Sequence, residues 1–481
     1  MERRVPHNPL NGRFTTVGHA VRRSYDDAKP HEHSNYWSST EYNTANAWNV
    51  NFGSGNVNNN NKYNTNNVVR PVAALDGLSH DFPLFYLTVI EAYHDCMRGK
   101  RSSPQALEYM KIAQEDLLRL AFELYTGTYT PGPSTCFLVK YPKLREVFAA
   151  DFRDRIVHHW ICLRLIPLFE ERFEAQGNVS FNCRKNFGTF KAVQAVEEGF
   201  ERVSFNYTRQ AWVFRGDLVG FFNSISKTKL WYLLERFITR RYHGDYKDIL
   251  LAVTKITVMH HPEQNCIFNT DPKEWLGLAQ RKSSFSCDKD RGEPIGNHTT
   301  QQFANFLLSF LDAYIHFLFR HKNYAYVRFV DDFEITCDDK AFPLAAIPKI
   351  AVFLHDALLL DLHKDKRYIQ PVSHGLKFVG AVIKPHRTYL SNKTIGRLRE
   401  KIHGFNRQLA EKDELSVLDC QRIEQVVNSY LGFCRQYRTY RIRREALQGF
   451  RPEFFRYFYI RGHYDSIRAK AKYRPATRSA A

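Results

Sequence analysis

The amino-acid sequence predicts an α+β fold in which a short antiparallel sheet presents acidic side chains and amphipathic helices pack around it. Two β-prone runs within residues 326–335 meet at the neighbouring Asp331 and Asp332, as the two strands of a hairpin would. A third short apolar strand, far upstream, ends at Asp217. After Thr299 the apolar residues recur three and four positions apart as far as Tyr314, which is the spacing of a helix that packs on a core.

The three aspartates are the strongest chemical signal in the chain. Nucleotidyl transfer uses two divalent cations held about 4 Å apart by shared carboxylates, one beside the attacking hydroxyl and one beside the leaving pyrophosphate. Two adjacent aspartates are more often a solvated turn, but Phe329 and Phe333 place this pair among apolar residues. The pattern therefore predicts a two-metal site built from Asp217, Asp331 and Asp332.

The composition favours a polyanionic partner and a reducing compartment. The chain has 481 residues, a formal net charge of +19 and 14% aromatic residues, which are interleaved with Arg and Lys towards the C-terminus. Its nine cysteines are odd in number and include no Cys-x-x-Cys pair, which argues against a disulfide framework and a zinc finger. No apolar run is expected to approach the roughly 20 residues of a membrane span. We therefore expect a cytoplasmic protein of two or three domains with no membrane partner.

The remaining elements follow from local patterns. The segment 34–70 is crowded with Asn and poor in aliphatic residues, so we expect it to be irregular. A helical pattern begins at Phe82. Residues 224–226 can cap a helix after the first acidic strand, and Ser391 can cap the first helix of a basic C-terminal region. The aromatic run 454–459 fits a buried terminal helix with exposed arginines, and we favour a mixture of packing aromatics and cations that follow phosphates.

Taken together, these motifs resemble those of reverse transcriptases. An acidic strand, a Gly-containing loop before a helix, and an aromatic-x-Asp-Asp hairpin occur in that order. Residues 143–155 and the tripeptide 183–185 look like the fingers of bacterial reverse transcriptases, and the resemblance covers about residues 82–444. It implies a right-hand polymerase with fingers at 76–210, a palm with an antiparallel sheet at 211–385 that includes a helix at 295–315, and a helical thumb with a basic tail at 386–481.

One stretch is similar to the enzymes of diversity-generating retroelements in particular. Ile295 and Gln301 stand where most other bacterial groups have Gln and Pro, while His298 and Thr300 depart from the family pattern. An aliphatic residue at 295 offers only shape where Gln can hydrogen-bond near the templating pair, so reduced fidelity is a hypothesis. The resemblance implies that errors concentrate at template adenines.

The resemblance also implies roles for individual residues. Asp217, Asp331 and Asp332, with the carbonyl of Leu218, would hold two Mg²⁺ ions, with Mn²⁺ as an alternative. Phe222 would exclude a 2′ hydroxyl by clash, although an ordinary core position is the alternative. The implied nucleotide-binding residues are Lys143, Arg145, Arg184, Phe222, Ile295, Gly296, Gln301 and Lys366. For the cations among them, the alternative is that they are ordinary solvated charges on the surface. The implied primer grip consists of Gly375, Phe378 and Gly380.

The implied activity is RNA-directed DNA synthesis, in which a template-repeat RNA is copied into error-prone cDNA for mutagenic retrohoming. The implied partners are the template RNA, a cDNA or DNA primer, deoxynucleoside triphosphates and an accessory basic barrel protein. Two alternatives stay open at this point. One is a reverse transcriptase of a retron or group II intron, and the other is a non-catalytic RNA-binding or lectin-like scaffold.

The Asn-rich front of the chain, within residues 1–75, looks like the C-terminal end of the lectin-type proteins that such elements diversify. Asn codons begin with two adenines, so this segment fits a translated template repeat, and we expect its product to be disordered and without function of its own. A short binding module containing Tyr36, Trp37 and Trp48 is one alternative. An ordinary disordered polar tail is the other.

Overall fold

The chain forms two compact units, each assembled from two separate stretches of sequence. A computed structural model describes residues 35–41, 46–51, 56–61, 81–101, 103–140 and 143–474. The first unit comprises Met1–Glu170 and Phe222–Phe303, and the second comprises Glu171–Phe221 and Ala304–Ala481. The predicted division into fingers, palm and thumb follows different boundaries and stays a prediction.

The helices begin and end at residues whose chemistry favours those boundaries. Ser103 caps its helix by accepting a hydrogen bond from the Ala106 N–H, and the helix ends at Gly127, whose φ of 73° suits glycine. Ser416 and Asp419 form a reciprocal capping box. In chain order the α-helices are α1 (Phe82–Met97), α2 (Pro104–Thr126), α3 (Phe152–Ala175), α4 (Thr189–Val203), α5 (Phe221–Ser224), α6 (Lys227–Arg241), α7 (Lys247–Met259), α8 (His298–Phe319), α9 (Ala341–Leu358), α10 (Asn392–Glu411), α11 (Val417–Cys434), α12 (Tyr440–Gln448) and α13 (Phe454–Tyr457).

The strands within the described residues are short and fall into five separate sheets. In chain order they are β1 (Asn35–Glu41), β2 (Asn46–Asn51), β3 (Asn56–Asn61), β4 (Ser134–Val139), β5 (Arg145–Ala149), β6 (Trp212–Gly216), β7 (Cys266–Phe268), β8 (Tyr324–Phe329), β9 (Asp332–Cys337), β10 (Tyr368–Pro371), β11 (Leu376–Phe378), β12 (Ala381–Lys384), β13 (Arg387–Leu390), β14 (Phe458–Arg461) and β15 (Ser466–Ala469). With these helices, they confirm the predicted α+β class.

The Asn-rich segment contains a three-stranded antiparallel sheet in the order β1-β2-β3. Val50 in the central strand pairs with Tyr36 on one side and with Val57 on the other. The expectation that this segment is irregular is therefore wrong for these three strands. Backbone hydrogen bonds join neighbouring strands whatever the side chains are, and Tyr, Trp and Val favour strands strongly enough to offset the asparagines. The rest of residues 1–75 lies outside the described part of the chain.

The first unit also holds a small mixed sheet and several packed helices. Strand β4 lies in the middle of this sheet, antiparallel to β5 and parallel to β7. Phe85 of α1 packs edge-on against Trp160 of α3, with ring centroids 5.6 Å apart. Arg153 joins the buried Asp116 of α2 to Glu123, with N···O distances of 3.0 and 2.8 Å. These contacts join α3 to both α1 and α2.

The second unit is centred on an antiparallel sheet in the order β10-β6-β9-β8. This sheet was predicted, and it brings the strand that ends before Asp217 next to the strand that begins at Asp332. Helix α4 covers one face of the sheet, where its buried Val196 and Phe200 share a core cluster with Val213 and Val327. A second small sheet, β11-β12-β13, contributes to the same cluster.

The predicted helix at 295–315 is displaced by about one turn. It begins at His298 and ends at Phe319. Gly296 cannot belong to it, because its φ is 136°. The apolar stripe of the helix is confirmed, since Phe303, Phe306 and Leu307 are buried.

The C-terminal region is helical, as predicted, up to α13. Helices α10, α11 and α12 bury one apolar face each around a common cluster. The alternative of a buried terminal helix over 454–459 holds only as far as Tyr457, because Phe458 starts a strand that pairs with β15. The favoured mixture of packing aromatics and cations that follow phosphates stays a prediction. Alternate residues of β14 are buried and exposed, which is strand periodicity in a run too short to distinguish from a helix by composition.

One helix in the described residues, α9, is long and apolar enough to cross a membrane by length and composition. The expectation that no stretch approaches a span was wrong in this respect. Ala346, Ile350 and Leu354 on one side of α9 are buried in the second unit. Phe353 stacks on Tyr314 of α8 with ring centroids 4.1 Å apart, so part of this helix packs as a core helix does.

Candidate active site

The acidic hairpin of β8 and β9 closes through a two-residue turn, Val330-Asp331. Phe329 pairs directly with Asp332 across the turn. Val330 has a φ of 59°. The favoured two-residue hairpin turns need positive φ, but a β-branched residue adopts it only against steric strain. The turn must therefore be held in place by contacts from outside it.

Asn182 and Arg328 hold the Val330 backbone on both of its polar atoms. The Asn182 Oδ1 accepts a hydrogen bond from the Val330 N–H at 2.8 Å, and Arg328 Nη1 donates to the Val330 C=O at 3.3 Å. Arg328 is fully buried and forms a bidentate ion pair with Asp312 at 2.7 and 2.6 Å. Tyr326 donates to the same carboxylate at 2.7 Å, and burial raises the pKa of its hydroxyl well above its usual value. We call Asn182, Arg328 and Asp312 the turn clamp.

None of the turn-clamp residues was predicted from the sequence. Arg328 lies within a β-prone run, whereas Asp312 lies on the face of α8 away from its apolar stripe. The pattern therefore offers a signal at Arg328 only, because a charged residue in a core position is almost never buried without a partner. The partner itself is not readable from the sequence, since the two residues belong to different elements.

Asp217 and Asp331 lie close enough for their charges to interact. Asp217 follows the last residue of β6, Gly216, which pairs with Phe333 of β9. The Phe333 ring covers Gly216 so closely that an added Cβ would lie 2.5 Å from its Cζ. Burial and then the Asp217 carboxylate raise the pKa of Asp331 to about 6. The predicted convergence of these two acids is what the structure shows.

Each of the other two site carboxylates has a cationic partner. The Lys366 Nζ lies 2.5 Å from Oδ2 of Asp217, so this predicted cation does reach the acidic cluster. Arg215 binds both oxygens of Asp332 at 2.8 and 2.6 Å. Lys366 is exposed and can move away, whereas Arg215 is held between β9 and β10.

The acidic cluster fits Mg²⁺, although no complete protein-only metal site is present. Among the described residues, no group of three or more His, Cys, Asp or Glu side chains is arranged to hold a metal ion. Mg²⁺ is usually bound by one or two carboxylates together with water and substrate phosphates. Leu218 lies in an isolated β-bridge whose backbone hydrogen bonds are made by the residues on either side of it. The Leu218 carbonyl oxygen accepts none of those hydrogen bonds. Asp217 and Asp331 supply oxygen donors of the kind that Mg²⁺ prefers, whereas the Leu218 carbonyl as a ligand and the two-ion site with Asp332 stay predictions.

In the first unit, Ile295 and Gly296 are tied to the strand β5. The Ile295 C=O accepts a hydrogen bond from the Phe148 N–H at 2.9 Å. A Cβ on Gly296 would lie 2.7 Å from the Phe148 oxygen, so only glycine allows this close approach. Asn297 Oδ1 accepts from the Ala150 N–H at 3.2 Å. Gln301 is exposed in the first turns of α8.

The remaining predicted residues of the first unit occupy separate places. Lys143 and Arg145 are both exposed at the start of β5. Phe222 is half-buried, and its C=O accepts from the Glu293 N–H at 2.8 Å. The proximity of these residues to the acids stays a prediction.

Arg184 is buried in the second unit rather than presented at its surface. It donates to the Ser180 C=O at 2.9 Å and to Asn178 Oδ1 at 2.7 Å. Its guanidinium also lies 3.9 Å from the centre of the Phe187 ring. Contact with a triphosphate would require Arg184 to leave these partners.

The predicted primer grip is a strained hairpin between β11 and β12. Gly380 has a φ of 91° and the preceding Val379 has a φ of 37°. A Cβ on Gly375 would lie 2.5 Å from the Ile383 oxygen. Phe378 is buried in the core cluster of the second unit. The backbone geometry therefore needs both glycines, while contact with a primer stays a prediction.

Comparisons with known proteins give remote likenesses, and no family model matches the chain. It is similar to protein YkfC of Escherichia coli strain K12, with 23% identity over 316 residues that cover 59% of this chain and 74% of YkfC. It is also similar to apo telomerase of Candida tropicalis, with a TM-score of 0.40, 11% identity, and coverage of 66% of this chain and 59% of that one. Telomerase of Candida albicans, solved with a TWJ fragment of telomeric RNA, gives a TM-score of 0.41 and 12% identity, with coverage of 70% of this chain and 60% of that one. The chain thus spans 60% or less of these two telomerase chains, and such values assign neither a family nor an activity.

Proposed function

We propose that this chain is an RNA-directed DNA polymerase of the reverse-transcriptase type. The observation that carries the proposal is the meeting of Asp217 and Asp331 at the ends of adjacent strands, where their interaction contributes to a raised pKa of about 6 for Asp331. Two carboxylates that repel each other gain when a cation binds between them. A surface that only binds a polyanion gains nothing from clustered acids, so the arrangement favours metal-assisted nucleotidyl transfer.

Different residues of the second unit would have different roles in the proposed reaction. Mg²⁺ bound by Asp217, Asp331 and the Leu218 carbonyl would activate the primer 3′ hydroxyl and neutralise charge on the leaving pyrophosphate. Lys366 would exchange its contact with Asp217 for a phosphate oxygen, as a point charge or a proton donor. Arg215 would hold Asp332 in a fixed position beside this pair through its bidentate contact. The turn clamp would hold the Asp331 carboxylate in its place.

The finer proposal is that the enzyme serves a diversity-generating retroelement. Ile295 and Gln301 support it by their resemblance to that group. The backbone of Ile295 is tied to β5, so its aliphatic side chain is the part left to contact a templating pair. Shape alone discriminates mispairs weakly, which favours an error-prone enzyme. The proposed partners are a template-repeat RNA, a primer, deoxynucleoside triphosphates and an accessory basic barrel protein, with Phe222, Lys143 and Arg145 acting on the incoming nucleotide.

Primer extension on a template-repeat RNA tests the proposal. The native chain, Asp331→Asn and Asp217→Asn would be compared with Asp356→Asn, which changes an exposed carboxylate on α9. Each assay would contain Mg²⁺ and the accessory protein. We expect synthesis from the native chain and the Asp356 variant, and none from the other two. Equal synthesis by all four would show that these acids are not catalytic.

Sequencing the cDNA then separates the finer alternatives. Errors concentrated at template adenines would support the retroelement proposal. Faithful cDNA would retain the polymerase and favour the retron or group II intron type. RNA binding without synthesis by the native chain would favour the non-catalytic scaffold.

A further inference from the structure

The hairpin of β14 and β15 has one apolar face that is fixed on helix α11. Phe458 pairs with Ala469, and both are buried with Ile467 in the C-terminal core cluster. The Asn428 side chain of α11 accepts from the Ile467 N–H at 2.8 Å and donates to the Ile467 C=O at 2.9 Å. Glu424 accepts from the Ala469 N–H at 2.8 Å. The hairpin is therefore held rigidly, with its second face turned outward.

That second face consists of one aromatic residue and three cations. Tyr459 is 40% exposed and pairs across the strands with Arg468. Arg461 and Lys470 are exposed on the same side. We call Tyr459, Arg461, Arg468 and Lys470 the outer hairpin face. It contains no aliphatic side chain and no acid.

The cations of the outer hairpin face differ from their neighbours in having no acidic partner. Among the residues that the structure describes, none of the three forms an ion pair. Asp465, the acid at the tip of this hairpin, is bound by Arg443. Arg451 pairs with Glu453 at 3.0 Å, so acids are available in this region but are used elsewhere. Unpaired cations clustered on one rigid face repel each other, and a bound polyanion would relieve that repulsion.

We propose that the outer hairpin face binds the sugar-phosphate backbone of RNA, with Tyr459 as a stacking surface for a base. The choice of RNA as the polyanion rests on the proposed function. Residues two apart on a strand lie about 7 Å from each other, and neighbouring strands lie about 5 Å apart, so Arg468, Lys470 and Arg461 can contact separate phosphates. An aromatic ring among cations is the arrangement that binds unpaired bases without sequence preference. A membrane surface would need apolar anchors that this face lacks.

The salt dependence of RNA binding tests this inference. The variant Arg461→Gln/Arg468→Gln/Lys470→Gln would be compared with Arg236→Gln/Arg240→Gln/Lys255→Gln, which removes the same charges from exposed positions on α6 and α7. The probe is a fluorescein-labelled single-stranded RNA, followed by anisotropy at several salt concentrations. Each phosphate contact to single-stranded RNA contributes about 0.7 to the slope of log K against log salt, so the hairpin variant should lose about 2 in slope. The control should keep the native slope.

A second variant pair tests the stacking role. We expect Tyr459→Ala to weaken RNA binding about tenfold at constant slope, while Tyr459→Phe keeps the native affinity. The substituted side chains are exposed, and the Tyr459 variants lose only the hydrogen bond that the Tyr459 hydroxyl accepts from Arg474 at 3.2 Å, so circular dichroism should not change and the melting temperature should change little. An unchanged slope in the hairpin triple variant would overturn the inference. Loss of binding to an acidic polypeptide, with native RNA affinity, would overturn it in favour of a protein partner.

These measurements need neither nucleotides nor synthesis, so they separate two kinds of failure. A chain that binds RNA through the hairpin but makes no cDNA would refute the proposed polymerase and keep this surface. A chain that makes cDNA, but whose RNA affinity does not depend on the hairpin, would keep the proposed polymerase and refute this surface.

Discussion

The buried ion pair between Arg328 and Asp312 allows core stability to be separated from positioning of the acidic turn. Replacing Asp312 with Leu leaves the Arg328 guanidinium, which is fully buried, without its carboxylate. Breaking one partner of a buried pair costs about 3–5 kcal/mol. The total unfolding free energy of a domain is only about 5–15 kcal/mol. We therefore expect Asp312→Leu to lower the urea midpoint and the melting temperature strongly.

A double variant shows what the pair does beyond stability. Replacing a whole buried ion pair by apolar residues is often neutral or stabilising, so Asp312→Leu/Arg328→Met should recover part of the lost stability. The recovery is incomplete because the Tyr326 hydroxyl is left without its acceptor, which costs about 1–3 kcal/mol. The double variant still lacks the hydrogen bond from Arg328 to the Val330 C=O. A displacement of about 1 Å at a reacting group can reduce a rate about 100-fold, so we expect kcat for primer extension to stay about 10- to 100-fold below the native value.

Two measurements decide this prediction. Urea unfolding followed by circular dichroism gives the stability, and single-turnover primer extension gives the rate. A stable double variant with native kcat would refute the positioning role and leave the pair as a core contact only. Asn182→Ala provides an uncharged comparison, because it removes the hydrogen bonds that Asn182 Oδ1 accepts from the Val330 N–H and the Ser180 hydroxyl, and it should lower kcat more than stability.

Three further predictions concern stability. Burial lowers the pKa of His158 to about 3 and that of His298 to about 4, against about 6.5 in the unfolded chain. The stabilising contribution of the two neutral histidines is therefore complete above about pH 6.5 and is lost as the pH falls towards about 4. Urea unfolding midpoints at about pH 7.5 and about pH 5 measure this loss. Gly296→Ala should cost about 1–3 kcal/mol of unfolding free energy, because its φ is 136° and a Cβ meets the β5 backbone, as thermal unfolding would report. Arg215→Gln leaves Asp332 without its bidentate partner, so the melting temperature should fall, and Mg²⁺ should raise it more in the variant than in the native chain.

Matched controls sharpen these measurements. His403→Gln changes an exposed histidine on α10 and should leave the pH dependence as it is. A Cβ on Gly396, also in α10, would meet open space, so Gly396→Ala should be neutral or slightly stabilising. We expect Mg²⁺ to take the place of the missing Arg215 charge beside Asp332. An equal rise in melting temperature with Mg²⁺ in the Arg215 variant and the native chain would contradict this expectation.

The sequence predicted the parts of the site that depend on local patterns. Two β-prone runs around adjacent aspartates made the hairpin predictable, and the apolar stripe made helix α8 predictable. The start of α8 was misplaced because the left-handed conformation of Gly296 depends on β5, which is distant in sequence. The β14–β15 hairpin was missed because an aromatic run of six residues satisfies helix and strand patterns equally.

Other features depend on contacts that a pattern cannot express. Arg184 was predicted to meet a triphosphate from its place in a motif, but its position follows from Asn178, Ser180 and a nearby ring. The strands of the Asn-rich segment form through backbone pairing, which composition describes poorly. The roles of Arg215 and the turn clamp depend on which acid each cation meets after folding.

The fit of the Phe333 ring over Gly216 has a consequence for how the chain can vary. Because the ring accepts only a residue without a side chain beneath it, this pair fixes the alignment of β6 with β9. A slip of one residue in either strand would turn every side chain to the opposite face and separate Asp217 from Asp331. Single-residue insertions and deletions within these strands should therefore be eliminated from a library selected for activity, while those in the turn between β12 and β13 should survive more often.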